Sequence, residues 1–105
     1  MKKSKYNIFY SDEVFSHLAS IDRKYWPQIK HKIGEQLFNN PDIETRNRKP
    51  LSNPPIDNRW ELRVGPQNIF RVFYKIDYVH NEVLILAIGV KIKDKLYIGK
   101  KGIKL

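Results

Sequence analysis

Apolar residues recur along this chain with a helical period in its first third and a strand period in its second half. Residues 5–10 (KYNIFY) are short and rich in aromatics, which predicts a first strand. Ser11 stands where a helix cap belongs, and Asp12 and Glu13 suit the positive end of the helix dipole. Val14, Phe15 and Leu18 then fall on one face, with Ile21 near the end. After a break around residues 22–24, Trp26, Ile29, Ile33 and Leu37 keep helical spacing, with Pro27 in the first turn. Asn39, Asn40 and Pro41 stop this second helix. The pair reads as a packed helical hairpin whose aromatics belong to the core.

Residues 41–58 are polar and proline-rich, and a loop that long in a small domain is often functional. Strict alternation begins at residues 59–64 (RWELRV), followed by a turn at Gly65, Pro66, Gln67 and Asn68. Residues 69–76 (IFRVFYKI) form the next strand, then a turn at 77–81. Residues 82–90 (EVLILAIGV) are almost continuously apolar, which predicts the most buried strand. Residues 94–98 (DKLYI) suit a last short strand or an extended tail, and Gly99 and Gly102 loosen the end. The order β-α-α-β-β-β predicts one α+β domain over residues 1–105. In it, two N-terminal helices pack on one face of a small, mainly antiparallel sheet.

Period-two geometry sorts the strand side chains between two faces. Trp60, Leu62 and Val64 should meet the helices, as should Phe70, Val72, Tyr74 and Ile76, and then Leu84, Leu86, Ile88 and Val90. The opposite face carries Arg59, Glu61, Arg63, Arg71, Phe73 and Lys91 over a low floor of Ala87 and Gly89. Tyr97 is expected at the rim of this basin. Cations around a floor of small residues suit a phosphate chain, because arginine offers a planar fork and lysine a mobile charge. Alternating charge on an antiparallel sheet equally fits a plain solvated face.

Composition narrows the partners. The 105 residues hold 20 lysines and arginines against 11 acids, a net charge of +9. The excess lies in two blocks of the second half. Residues 46–75 carry seven cations against Asp57 and Glu61, and residues 91–105 carry six lysines against Asp94. That asymmetry points to a polyanion, either nucleic acid or an acidic protein segment. With no cysteine, disulfides and thiolate zinc sites are excluded, and His17, His31 and His80 are too scattered to suggest a metal site by spacing. The histidines read as surface residues. No apolar run is long enough for a membrane span, and Ser11, Asp12 and Glu13 interrupt any signal-peptide run, so a cytoplasmic protein is expected.

Taken in order, these segments resemble the RelE/ParE superfamily of bacterial toxins from type II toxin–antitoxin pairs. The resemblance runs over nearly the whole chain. It rests on the early strand and two helices, then RKPL (48–51), WELRVG (60–65), RVFY (71–74) and ILAIGVKIKDKLYIG (85–99). It implies a ribosome-dependent endoribonuclease that cleaves mRNA, inhibits translation and needs no metal or other cofactor. Arg71 would correspond to a phosphate-binding arginine before an apolar-aromatic triplet, Lys91 to a basic residue two places after a strand-ending glycine, and Tyr97 to a tyrosine six places further on. Glu61 stands where some members carry a lysine, and the C-terminal histidine that other members use as an acid has no counterpart.

On this reading Arg71 and Lys91 stabilise charge, and Arg59, Arg63, Lys49, Lys93 and Phe73 bind RNA. Glu61 is either a general base or a cross-strand partner of Arg71 or Arg59. Tyr97 stacks on a base, donates a proton or anchors the tail. The expected partners are an acidic cognate antitoxin, the ribosome and mRNA. The same fold also permits a ParE-like toxin that poisons DNA gyrase without cutting, or an inactive member acting through its antitoxin complex.

Overall fold

The computed structural model describes residues 5–52, 56–99 and 101–104. Among them are two helices, α1 (Asp12–Ala19) and α2 (Trp26–Leu37). One sheet holds seven strands: β1 (Asn7–Tyr10), β2 (Arg48–Pro50), β3 (Arg59–Val64), β4 (Phe70–Asp77), β5 (Glu82–Ile92), β6 (Lys95–Ile98) and β7 (Lys101–Lys104). The α+β class is as expected from the sequence. The arrangement matches in part, since the sheet is mixed, with β1 parallel to β5 and the other pairs antiparallel, and two strands, β2 and β7, come in addition.

β2, β3, β4 and β5 lie side by side, each antiparallel to the next. The far edge of β5 is divided between two neighbours. β1 runs parallel to residues 82–85, and β6 runs antiparallel to residues 89–92 before β7 extends the sheet. The backbone between these stretches is satisfied by the start and body of α1. Ser11 N–H donates to Ile85 O at 2.9 Å, Ser11 Oγ donates to Leu86 O at 3.2 Å, and Ile88 N–H donates to His17 Nδ1 at 3.3 Å. Ser11 therefore sits at the N-cap position without capping through its side chain, because the hydroxyl is spent on the strand edge. His17 is likewise a half-buried link in the fold, while His31 and His80 are exposed.

The core lies between the helices and one face of the sheet. Ile29, Ile33 and Leu37 from α2 and Val14 from α1 are fully or almost fully buried against Leu62, Val72, Tyr74 and Ile85. Tyr74 stacks on Trp60 and donates to Pro41 O at 2.6 Å, and burial pushes its phenol well above the usual range. The helices do not form the expected tight hairpin. α1 lies on β5 and α2 reaches β3. Between them is an apolar groove of about 510 Å³ lined by Tyr10, Leu18, Trp26 and Ile88 among others. Phe15, expected in the core, stands at its rim and is 65 % exposed.

Strand β5 departs from simple alternation. Phe73 pairs with Ala87 and Tyr74 with Ile85, so Leu86 has no partner across the ladder. An unpaired residue moves the following side chains to the opposite face. Before it Val83 and Ile85 are fully buried in the core and Leu84 faces out; after it Ile88 is the core residue. The expectation that Leu84 and Leu86 meet the helices is thus corrected by the bulge.

The expected loop at 41–58 contains β2, an edge strand paired to β3, and a turn of 3-10 helix at Ile56–Asn58; residues 53–55 lie outside the described residues. Arg48 of the RKPL segment is buried on the helix side. Its Nη1 donates to Gln36 O at 2.7 Å and to Asn40 O at 2.6 Å, closing the C-terminal end of α2. The free carbonyls there favour a cation.

Candidate functional site

Away from the helices, the register sets the outward side chains in rows across the sheet. One row runs Lys49, Glu61, Phe73 and Ala87; the next runs Arg63, Arg71, Gly89 and Ile98. Arg59, Lys75 and Leu84 form a row on one side, and Lys91 with Leu96 a row on the other. Seven of the nine residues singled out from the sequence therefore share this face: Lys49, Arg59, Glu61, Arg63, Arg71, Phe73 and Lys91.

Two ion groups organise them. Glu61 lies between two arginines, with Oε1 3.4 Å from Arg63 Nε and Oε2 3.2 Å from Arg71 Nη1. Arg71 also donates through Nε to Asn68 O at 3.1 Å, and its side chain is only 10 % exposed. The turn that presents this carbonyl begins at Gly65, whose φ of 86° favours glycine and where a Cβ would fall 2.5 Å from the Phe70 ring. Asp57 forms the second group, 3.5 Å from Arg59 Nε and 3.2 Å from Lys75 Nζ. Lys91 is half-buried and has no ion pair among the described residues. Its backbone N–H donates to Ile69 O at 2.7 Å, tying it to the same turn.

Of Glu61's two expected partners, Arg71 is realised, while Arg59 is held by Asp57 and Arg63 takes its place. The remaining two residues lie elsewhere. Lys93 is exposed at the tip of the β5–β6 turn. Tyr97 pairs with Val90, one position out of step with the Lys91–Leu96 pair. Alternation thus directs it to the helix side of the sheet rather than to the rim of the cationic face. The low floor is also smaller than expected. A Cβ on Gly89 would meet Leu96 Cδ1 at 2.8 Å and Tyr97 O at 2.9 Å, so β6 already covers that position. Open floor remains around Ala87 and Phe73.

Asn68 is a functional contact that no side-chain pattern marks, although the Gly65-Pro66 turn signal, five to six residues before Arg71, shows where its carbonyl is offered. At the far end of the sheet the β4–β5 turn gathers Asp77, His80 and Glu82, with ligand-type atoms within 4.8 Å of one another. All three are exposed or half-exposed. His80 Nδ1 is 2.8 Å from Asp77, which holds the Asp77 carboxyl below its usual range and raises His80 above its own. Asp77 Oδ1 also accepts from the backbone of Val79 and His80, so this group builds the turn.

The face offers a buried arginine, a more exposed arginine and an unpaired lysine around one carboxylate and one aromatic ring. That set can bind a phosphodiester and hold a base. No protein-family model matches the sequence, and no curated protein matches it. The structure is similar to a chain in the crystal structure of the RelBE2 toxin–antitoxin complex from Mycobacterium tuberculosis. The TM-score is 0.67 and the identity 21 %, over 83 % of this chain and 99 % of that one. The two chains share a fold. No helix among the described residues is long and apolar enough to cross a membrane.

Proposed function

We propose that this chain is a RelE-like toxin of a type II toxin–antitoxin pair, a metal-independent endoribonuclease that cuts mRNA on the ribosome and is neutralised by an acidic antitoxin. The observation that carries this reading is the Arg63–Glu61–Arg71 group beside Lys91 and Phe73 on an open sheet face. The fold shared with a chain of a toxin–antitoxin complex supports it.

The reaction would use the RNA's own 2′-hydroxyl. Glu61 takes the 2′ proton, the 2′ oxygen bonds to phosphorus, and the bond from phosphorus to the 5′ oxygen breaks. The products are a cyclic phosphate and a 5′-hydroxyl end. Arg71 and Arg63 face the charge that builds on the non-bridging oxygens, and Phe73 supports a base. Lys91 is assigned the proton given to the leaving oxygen, because Tyr97 would have to reach it from the other side of the sheet.

Mapping of RNA 5′ ends on ribosomes translating a defined message tests this. Wild type should give cuts within codons that need the ribosome, and Lys91→Ala should reduce them at least tenfold while melting normally. Arg71→Ala, checked for folding because the side chain is buried, should abolish them. An intact message from folded wild type would reject cleavage and favour the reading as a non-cutting toxin acting on DNA gyrase, which supercoiling assays detect.

A further inference from the structure

Glu61 can serve the chemistry as a base or the scaffold as a cross-strand partner, and its position gives it a third task. Its two oxygens each meet one arginine, at 3.4 and 3.2 Å, as two oxygens of a phosphodiester would. The carboxylate is 16 % exposed and Arg71 10 %, so the pair is poorly screened by solvent, whereas Arg63 is 33 % exposed and meets the carboxylate through Nε. Arg71's Nε is bound to Asn68 O, which fixes the direction of its fork.

We propose that Glu61 is a built-in counter-anion that occupies the phosphate site of this face, so that free phosphate is excluded while a polynucleotide with further contacts still binds. The ligand class is a phosphodiester, and this rests on the RNA-binding reading above. An isolated phosphate must compete with a tethered carboxylate for the same two guanidinium groups, and it gains nothing else. A strand of RNA also engages Lys91 and Phe73 on either side, and those contacts offset the displacement. Once displaced, the carboxylate is left beside the phosphate, where the proposed reaction needs a base. The same carboxylate keeps Arg63 and Arg71 from repelling each other where they face across β3 and β4.

Titration of inorganic phosphate, followed by phosphorus NMR, tests the counter-anion without requiring any cleavage. Wild type should bind phosphate weakly. Glu61→Gln should bind it at least tenfold more tightly, and Glu61→Thr provides a second, smaller uncharged replacement suited to a strand. Adding Arg63→Ala to either variant should return the affinity to the wild-type level. In parallel, a short single-stranded oligoribonucleotide should tighten by a similar factor in Glu61→Gln, because it displaces the same carboxylate. If phosphate affinity is unchanged in both folded variants, Glu61 is not the competing anion and the proposal is overturned. If phosphate tightens as expected but RNA binds neither wild type nor variant, the counter-anion stands as an anion gate and the RNA reading fails.

Discussion

His17 closes a gap in the strand ladder with a ring nitrogen that must be unprotonated to accept from Ile88 N–H. Burial holds its pKa below the ordinary 6.5, with Glu13 pulling more weakly the other way. The unfolded chain therefore takes up this proton first as the pH falls. The stability that His17 contributes is present above about pH 6.5 and declines below it. His80 works in the opposite sense: Asp77 raises its pKa, so its contribution is present below 6.5 and is lost as the pH rises through the folded value. The His17 effect is isolated by comparison with His17→Gln, whose amide oxygen can still accept the bond. Between pH 7.5 and 5.5, melting followed by circular dichroism should show a larger fall in Tm for wild type than for the variant. At this scale the sequence was informative where one strand sufficed. Arg59, Glu61, Arg63 and Arg71 share a face because alternation requires it. Which arginine Glu61 would hold depended on Asp57 claiming Arg59, a contact from a neighbouring turn that no periodicity encodes.

Among the elements, β5 shows how an error in register arises from a correct assignment. The apolar run was legible as a buried strand, yet one unpaired residue at Leu86 exchanges the faces on either side of it. A run apolar at every position gives alternation no signal with which to locate a bulge. Leu84 is 36 % exposed and Ile85 fully buried, which makes a sharp test. Leu84→Thr should change stability by no more than about 0.5 kcal/mol, whereas Ile85→Thr should cost about 2–4 kcal/mol. Urea denaturation reads both, and the reverse order would place the bulge elsewhere. The displacement of Tyr97 has a similar origin. Its side of the sheet follows from how the β5–β6 turn pairs Val90 with it, and a sequence of turn residues alone left that pairing open.

For the molecule as a whole, the net charge of +9 matters less than its distribution. Asp57 and Glu61 neutralise part of the outward face, leaving Lys91 and Lys49 as the cations there without ion pairs among the described residues. Binding of single-stranded RNA should weaken linearly on a logarithmic plot against salt. Removing one phosphate contact with Lys91→Ala should flatten the slope by about 0.7. An unchanged slope would mean that Lys91 touches no phosphate. The divided edge of β5 bears on how the chain acquires its shape. β3, β4 and β5 are consecutive hairpins, so their pairing closes short loops. β1, by contrast, has no strand to join until β5 has been made some seventy residues later. Long-range pairing of this kind is slow relative to local hairpins. During synthesis β1 and α1 must wait until β5 has been made, so their docking on that strand follows the closing of the local hairpins. Pulsed hydrogen exchange during refolding should accordingly protect the amides of β4 before those of β1.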